Sequence, residues 1–227
     1  MSKPSNPFLF IGKPVMDEYG RQIGQIASFL VSPNGRVNAV LLEHGDGEFF
    51  SYPSEQFRID GDNIVILQQV KLKVKALCDE IPLIWRKDQV LSGLSGKKDV
   101  PSELLSFVHK NFEGALDQLK ADAQATIDKI DKQTARCTQE IRDLNSALIN
   151  LEIEREIGRI DADSYQTAMK IIQQGLKQAN AEKSDLETMR NQLSNIILGE
   201  KPTTVSPKEV KEEAPQQPVV VHVKPRT

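Results

Sequence analysis

The longest regular pattern of apolar and polar positions covers residues 112–198. Apolar residues recur there at alternating steps of four and three, the a/d repeat that turns one narrow seam of a helix toward a partner helix. An extra step of four between Ala123 and Ile127 is a stutter, which locally unwinds a supercoil. The pattern therefore predicts a coiled coil, and so narrow a seam favours assembly over a catalytic cleft. The predicted seam positions are Leu116, Leu119, Ala123, Ile127, Ile130, Thr134, Cys137, Ile141, Leu144, Leu148 and Leu151, then Tyr165, Met169, Ile172, Leu176, Ala179, Lys183, Leu186, Arg190, Leu193 and Ile197.

The repeat is interrupted at residues 158–163. Gly158 costs roughly 1 kcal/mol in a helix interior relative to alanine, and Asp161 or Asp163 suits the N-cap of a second helix. A break there predicts two helices of roughly 70 and 55 Å, at ~1.5 Å per residue, paired as an antiparallel hairpin. One long rod with a kink is the alternative. The sequence leaves open whether the helices pair within one chain or between chains.

Short apolar segments separated by turns occupy residues 8–67. The turns at residues 17–20, 32–35, 44–47 and 60–63 carry the glycine, aspartate and asparagine residues that tight turns favour. Five or six strands fit between them, and strands so short and frequent predict a small closed β-barrel without exposed edges. The predicted fold class is therefore α+β: a small N-terminal β-barrel, then a long coiled coil folded as an antiparallel helical hairpin, and a disordered tail.

The barrel region resembles a PRC-barrel domain over roughly residues 8–70, within a predicted β domain of residues 1–94. The resemblance implies a docking module, because PRC barrels mainly bind partners, and it implies no enzymatic activity. The residues that carry it are Ile11, Gly12, Lys13, Pro14 and Val15, the turn ending at Gly20, then Ile23, Gly24, Gln25 and Ile26, the hairpin of Pro33, Asn34 and Gly35, and the run Tyr52, Pro53, Ser54, Glu55, Gln56 and Phe57.

Lysine and apolar residues alternate at the start of residues 68–94. A strand with this alternation would place three ammonium groups on one face, where they could contact DNA phosphates or lipid headgroups. A solvated face or a lysine-guarded sheet edge explains the same row. Trp85 precedes two more cations, although so large an aromatic is more typical of a side chain buried against the barrel. The candidate contacts to DNA or lipid are Lys71, Lys73, Lys75, Arg86 and Lys87.

Residues 95–111 connect the predicted barrel to the coiled coil. Residues 92–98 are rich in glycine and serine, which predicts a flexible joint, and Pro101 precedes a predicted helix start. A stripe broader than the coiled-coil seam follows, and we expect it to dock the stalk on the barrel. The stripe consists of Leu104, Leu105, Phe107, Val108 and Phe112.

Proline, lysine and glutamate dominate residues 199–218, which predicts a disordered tether of roughly 25 Å r.m.s. length. Residues 219–227 begin with a β-branched run. A strand-forming peptide on such a tether adds itself to the sheet edge of another protein. Strand addition to its own barrel, or a tail without a partner, are the alternatives. The candidate partner-binding residues are Val219, Val220, Val221, His222, Val223 and Lys224.

Composition narrows the functional class. A net charge of -3 and a pI near 5.7 exclude a strongly cationic protein. Cys78 and Cys137 lie in different segments, which disfavours a disulfide framework and favours a reducing compartment. The N-terminus lacks the apolar core of a signal peptide, and no apolar run approaches the ~20 residues of a spanning helix. We expect a cytoplasmic protein that reaches a membrane only peripherally.

The sequence contains no catalytic constellation. His44, His109 and His222 fall in a predicted turn, a helix and the tail, without metal-ligand spacing. The glycines of residues 93–98 lack the spacing of a phosphate-binding loop. We therefore expect neither enzymatic activity nor a cofactor or metal.

The order of the predicted domains and segments along the chain indicates a protein family. A PRC barrel, a coiled coil, a proline-rich tether and a C-terminal strand peptide, in that order, resemble the CdvA family of archaeal cell-division proteins. The resemblance implies a homo-oligomeric scaffold that polymerises at the mid-cell division site, is peripheral to membrane or nucleoid, associates with DNA, and recruits the ESCRT-III-like protein CdvB. In that family the C-terminal peptide completes a sheet in the partner's winged-helix domain, a role that falls here on residues 219–223. A different kind of function is the alternative, that of a chromosome-associated coiled-coil protein that binds DNA nonspecifically.

Overall fold

The computed structural model describes residues 7–60, 63–94 and 101–199. Six strands precede three helices, and short 3-10 helices lie at Pro7–Phe10 and Ser54–Gln56. The strands are β1 (Pro14–Asp17), β2 (Gln22–Val31), β3 (Val37–Glu43), β4 (Phe49–Pro53), β5 (Phe57–Asp60) and β6 (Asn63–Ile66). The helices are α1 (Gln69–Leu94), α2 (Ser102–Glu156) and α3 (Ala162–Ile197).

The strands form one sheet in the order β4-β3-β2-β1-β6-β5. Neighbouring strands are antiparallel except for β1 and β6, which run parallel with Val15 opposite Ile64. The two strands at the ends of the order, β4 and β5, follow one another in the chain through the 3-10 helix Ser54–Gln56. The predicted α+β class is confirmed, with a β core separate from the helical one. That β core consists of Phe10, Val15, Ile26, Val40, Leu42, Ile64 and Ile66.

Irregular pairing coils the sheet around this core. The β2–β3 ladder shifts register between Ile26 and Ser28 and again between Leu30 and Val31, and such bulges increase local twist. A Cβ added at Gly24 would lie 2.1 Å from the backbone oxygen of Glu43. The strands β2 and β3 therefore cross very close to each other at Gly24. Only glycine fits that crossing.

The segment after β6 is helix α1, so the predicted strand with three lysines on one face is wrong. Its buried residues, Val74, Leu77 and Ile81, follow steps of three and four, the period of one helix face. The helical spacing of apolar residues continues to Ile81, whereas the alternation of lysine and apolar residues covers only residues 71–76. On this helix Lys73 therefore points away from Lys71 and Lys75, so the three ammonium groups do not share one face.

Helix α1 packs beside α2 and α3 to form a three-helix bundle next to the sheet. It runs antiparallel to α2, because Lys73 contacts Asp122 at one end and Asp88 contacts His109 at the other. Trp85 packs on this helical core rather than on the barrel, so the expectation of burial against the barrel is wrong. The helical core consists of Val74, Leu77, Ile81, Leu116, Ala123, Ile127, Ile130, Cys137, Leu186, Met189, Leu193 and Ile196.

Helices α2 and α3 form an antiparallel hairpin within one chain. Arg190 Nε lies 2.7 Å from Asp131 Oδ1, and Leu144 packs against the Cα side of Gly175. Gly158 ends the first helix with φ +76°, a conformation that glycine adopts readily at helix C-termini. Asp161 caps the second helix by accepting hydrogen bonds from the backbone N–H groups of Asp163 and Ser164. The break lies where the sequence predicts it.

The apolar stripe at the start of α2 does not dock the stalk on the sheet. Leu104 and Phe107 are 58% and 63% exposed, and this part of α2 contacts the end of α1 through His109 and Asp88, 2.6 Å apart. The predicted docking role of Leu104, Leu105, Phe107, Val108 and Phe112 is therefore wrong for the exposed members. The connector residues 95–100 lie outside the described residues.

Candidate interaction surfaces and the sheet–helix junction

The junction between sheet and helices begins with a turn built by Asp17, the last residue of β1. Asp17 Oδ1 accepts the backbone N–H groups of Tyr19 and Arg21 at 2.8 Å each, and Gly20 takes a φ of +81°. Asp17 Oδ2 accepts a further hydrogen bond from Arg21 Nε at 2.8 Å. The turn thereby aims the Tyr19 and Arg21 side chains at α3.

Arg21 bridges the sheet to the coiled coil. Its Nη2 donates to Glu182 Oε2 on α3, and Glu182 Oε1 accepts from Gln68 Nε2 at 2.9 Å. Partial burial disfavours the charged guanidinium, but Glu182 and Asp17 outweigh that cost and raise the pKa of Arg21. Glu182 is only 9% exposed, so its charge depends on these donors.

A second set of contacts lies beside the first. Lys71 Nζ lies 2.9 Å from Glu18 Oε1 and 3.5 Å from Asp185 Oδ2, and the Tyr19 hydroxyl donates to Asp185 Oδ2 at 3.3 Å. Burial, followed by the neighbouring carboxylates, raises the pKa of Tyr19. The turn, the start of α1 and α3 are thus held by one polar network, in which Lys71 has a structural role.

A cleft of about 700 Å³ lies beside this network, between the sheet and the hairpin. Its walls come from the end of β4, the start of α1 and the middle of both hairpin helices. Gln68 Oε1 and Gln133 Oε1 are buried there without a hydrogen-bond partner among the described residues. Burial, with Glu182 and Glu140, raises the pKa of the Cys137 thiol in the same wall to about 11. Cys137 is therefore a protonated, packed thiol at neutral pH.

The five candidate cations do not form one basic surface. Lys73 Nζ pairs with Asp122 Oδ2 at 2.9 Å, and Lys71 belongs to the junction network. Lys75, Arg86 and Lys87 are exposed on α1, where Arg86 Nε donates to the Pro82 carbonyl at 3.3 Å. Lys75 lies about three helical turns from Arg86 and Lys87, so these exposed cations do not form a continuous row.

The two histidines within the described ranges each contact a polar side chain of the fold. His44 lies 2.9 Å from the Tyr52 hydroxyl, and His109 pairs with Asp88 on the neighbouring helix. In the part of the chain that the structure describes, no three metal-ligand side chains come together. His222 and the other candidate partner-binding residues of the tail, Val219 to Val223 and Lys224, lie outside the described residues.

Exposed apolar side chains are a more prominent surface feature. Leu9 in the first 3-10 helix and Ile11 just after it are 69% and 48% exposed, and Phe49 on β4 is 57% exposed. Further apolar side chains are exposed near the tip of the hairpin. Grouped exposed apolar surface marks sites of protein or membrane contact. Within the described residues, no helix has the apolar length needed to cross a bilayer.

Comparison with known proteins agrees with this two-part architecture. A model of the PRC-barrel domain matches residues 9–72, and a model of the CdvA-like coiled-coil domain matches residues 70–217. This chain belongs to the CdvA-like coiled-coil family. The family resemblance inferred from the sequence is confirmed, and the two matches meet where β6 passes into α1.

A relative of this CdvA-like chain is Cell division protein A from Sulfolobus acidocaldarius. The two are 21% identical over 187 residues, which cover 82% of this chain and 78% of the relative. The similarity therefore extends over both the PRC-barrel region and the coiled coil.

The junction residues Tyr19, Arg21, Glu182 and Asp185 were not among the sites predicted from the sequence. Their partners lie far away in the chain. In the sequence, a glutamate that is buried at the edge of a seam cannot be told apart from an exposed glutamate of a helix. The Asp17 turn was recognisable, because aspartate followed by glycine three residues later is a turn pattern. The residues of α3 that contact this turn were not recognisable from the sequence.

Proposed function

We propose that this chain is a cell-division scaffold that works by assembly rather than by catalysis. The observation that carries the proposal is the succession of a PRC-barrel domain and a CdvA-like coiled coil, shared with a relative named Cell division protein A. The packed seam of the hairpin, together with the hydrogen bonds and ion pairs of the junction, holds the chain in a rigid shape. The scaffold acts at the division site, peripheral to membrane or nucleoid.

Self-assembly is the first part of the proposed function. Exposed apolar residues lie at the start of α2, such as Leu104 and Phe107, and at the hairpin tip, so the rod of the single chain has uncovered apolar surface at both ends. Leu9 and Phe49 are further exposed apolar residues in the sheet domain. Burial of such surface contributes about 25 cal/mol per Å². A molecule with apolar contacts at both ends of a rigid rod is suited to form polymers rather than closed dimers.

Recruitment of an ESCRT-III-like partner, CdvB, is the second part. The β-branched run from Val219 to Val223 follows a proline- and charge-rich segment, which gives it the composition of a peptide that adds a strand to a sheet edge. Alternate residues of a strand face opposite sides. One set of the tail, Val219, Val221 and Val223, would then contact the winged-helix domain, while Val220 and His222 face the other way.

Titration of labelled peptides for residues 215–227 against the winged-helix domain tests this part. We expect the native peptide to bind, and serine at Val219, Val221 and Val223 to abolish binding. A matched peptide with serine at Val220 and His222 controls for general loss of β-branched residues. Equal weakening by both variants, or binding by neither wild type nor variant, would refute recruitment through one strand face.

The full-length chain separates recruitment from assembly. Deletion of residues 219–227 is expected to abolish partner binding in a pull-down while sedimentation of the polymer is unchanged. Retained partner binding would contradict the role of the tail. Loss of sedimentation would show that the tail belongs to the polymer contact instead.

The alternative of a chromosome-associated DNA-binding protein loses its main support in the structure. It depended on three lysines on one strand face, and two of these, Lys71 and Lys73, form ion pairs within the chain. A glutamate triple variant at Lys71, Lys73 and Lys75 would therefore disrupt the fold as well as any DNA contact. Lys75, Arg86 and Lys87 remain the informative positions for a salt-dependent DNA shift.

A further inference from the structure

Three isoleucines form a ladder on α2 near the tip of the hairpin. Ile149, Ile153 and Ile157 are spaced four residues apart, and they are 61%, 51% and 57% exposed. Steps of four along a helix keep side chains on one face, with a drift of about 40° per step at 3.6 residues per turn. We call these three residues the isoleucine ladder.

The ladder lies on the side of α2 that faces away from α3. The seam residues of the same turns, Leu144, Leu148 and Leu151, are half-buried, and they lie on the helix face roughly opposite to Ile149 and Ile153 at 100° per residue. The seam of α2 is therefore covered by α3, whereas a second apolar stripe on α2 stays exposed. Helix α1 packs at the other end of α2, so it does not cover the ladder.

Charged residues near the ladder include two ion pairs within the chain and two exposed groups in line with the isoleucines. Arg155 lies 3.6 Å from Glu152, and Arg159 lies 3.4 Å from Glu154. Arg142 and Glu156 are exposed, and neither forms an ion pair with a described residue. Each is seven residues from Ile149, one on either side, so both lie along the stripe of the ladder.

We propose that the ladder binds the ladder of a second copy of this chain, with the two α2 helices antiparallel. A two-fold axis between Ile149 and Ile153 places Ile149 against the partner's Ile153 and Ile153 against the partner's Ile149. Arg142 then lies about four residues, ~6 Å along the axis, from the partner's Glu156, within reach of its long side chain. The same pairing forms twice, once on each side of the axis.

The charges select this orientation over a parallel one. In a parallel pair, Arg142 would lie beside the partner's Arg142 and Glu156 beside the partner's Glu156, and like charges at such positions are destabilising. In the antiparallel pair both become opposite-charge contacts. The isoleucines supply the attraction, and the charges set the direction.

This inference rests on the proposed self-assembly and identifies one of its contacts. Three half-exposed isoleucines from each copy cover less than the roughly 1,000 Å² of a stable isolated interface. The ladder contact is therefore weak by itself and acts together with apolar contacts elsewhere on the chain. Its effect is measured on assembly of the full-length protein rather than on an isolated helix.

Sedimentation of the full-length protein over a range of concentrations tests the ladder. Ile153→Asp is expected to raise the concentration needed for pelleting roughly tenfold, because a carboxylate would be buried in the contact. Ile171→Asp is the matched control: Ile171 is 67% exposed, lies on α3 and is not part of the ladder. Circular dichroism checks that both variants keep the helix content of the wild type.

Charge reversal tests the orientation without changing the apolar surface. Arg142→Glu and Glu156→Arg should each weaken pelleting several-fold, since each variant turns an opposite-charge contact into a like-charge contact and the contact occurs twice. The double variant should recover the wild-type concentration dependence. Failure of the double variant to recover, or single variants without effect, would overturn the antiparallel arrangement.

The outcomes distinguish this inference from the proposed function. A wild-type protein that stays monomeric at every concentration refutes self-assembly itself. A wild type that pellets, with Ile153→Asp pelleting equally well, refutes only the ladder. Equal loss in Ile153→Asp and Ile171→Asp also refutes the ladder, because the effect would not be specific to its face.

Discussion

Arg21 on the sheet and Glu182 on α3 form an ion pair although 161 residues separate them in the chain. The pair is anchored on both sides: Asp17 holds Arg21 Nε at 2.8 Å, and Gln68 donates to the second oxygen of Glu182 at 2.9 Å. Because Asp17 and Glu182 are both buried, this contact fixes the PRC-barrel sheet against the side of the hairpin. Each chain therefore has one defined spacing between sheet and hairpin.

Arg21→Met should lower the free energy of unfolding by about 1–3 kcal/mol. Methionine keeps an apolar stem, but Glu182 then loses its cationic partner and keeps only neutral donors such as Gln68, and an uncompensated buried charge is costly. Urea unfolding followed by circular dichroism measures the loss. Arg36→Met is the control, since Arg36 is exposed in the turn between β2 and β3 and should change stability by less than about 0.5 kcal/mol.

The coiled coil was predictable because its order is local and repeated. Each helical turn repeats the same spacing, so the two helices and a break near Gly158 could be predicted from the sequence. Whether the helices pair within one chain could not. Helix α1 was missed because residues 71–76, near its start, alternate lysine with Leu72, Val74 and Ala76, which is the period of a strand. The longer spacing of Val70, Val74, Leu77, Ile81 and Ile84 carries the helical period, and it was the better signal.

The junction could not be predicted from the sequence, for a physical reason. A turn residue such as Tyr19 and a helix residue such as Asp185 meet only because α1 brings α3 beside the sheet. No spacing in the sequence records such a contact. The missed helix also explains why Leu104 and Phe107 were wrongly expected to dock the stalk, since α1 and α3 provide that attachment instead.

Gly24→Ala should destabilise the sheet by about 1–3 kcal/mol through overpacking. The added Cβ would lie 2.1 Å from the backbone oxygen of Glu43, and backbone atoms cannot move aside as a flexible side chain can. Thermal unfolding of the full chain measures the effect. Gly93→Ala on α1, where nothing lies within 4 Å of an added Cβ, should show no loss, and equal stability of the two variants would contradict the close strand crossing.

Stability should fall between pH 9 and 11 because of Cys137. Burial and the nearby glutamates raise the pKa of its thiol from 9.0 to about 11, so over this window the unfolded chain releases a proton that the folded chain keeps. Since the unfolded state then binds fewer protons, the free energy of unfolding decreases as pH rises. Cys137→Ala removes this titration, so the stability difference between wild type and variant should shrink from pH 9 to pH 11. A constant difference would show that the thiol titrates normally in the folded protein.

Alanine at two glycines of the coiled coil should change stability in opposite directions. Gly158 has a φ of +76°, a left-handed conformation that alanine adopts at a cost of about 1 kcal/mol, so Gly158→Ala should destabilise the hairpin. Gly114 lies inside α2 with open space around an added Cβ, and Gly114→Ala should stabilise it by about 0.5–1 kcal/mol. Urea unfolding of both variants beside the wild type compares the signs directly. Stabilisation by Gly158→Ala would mean that the chain continues as one rod through residues 157–161, because only a straight helix would gain from alanine there.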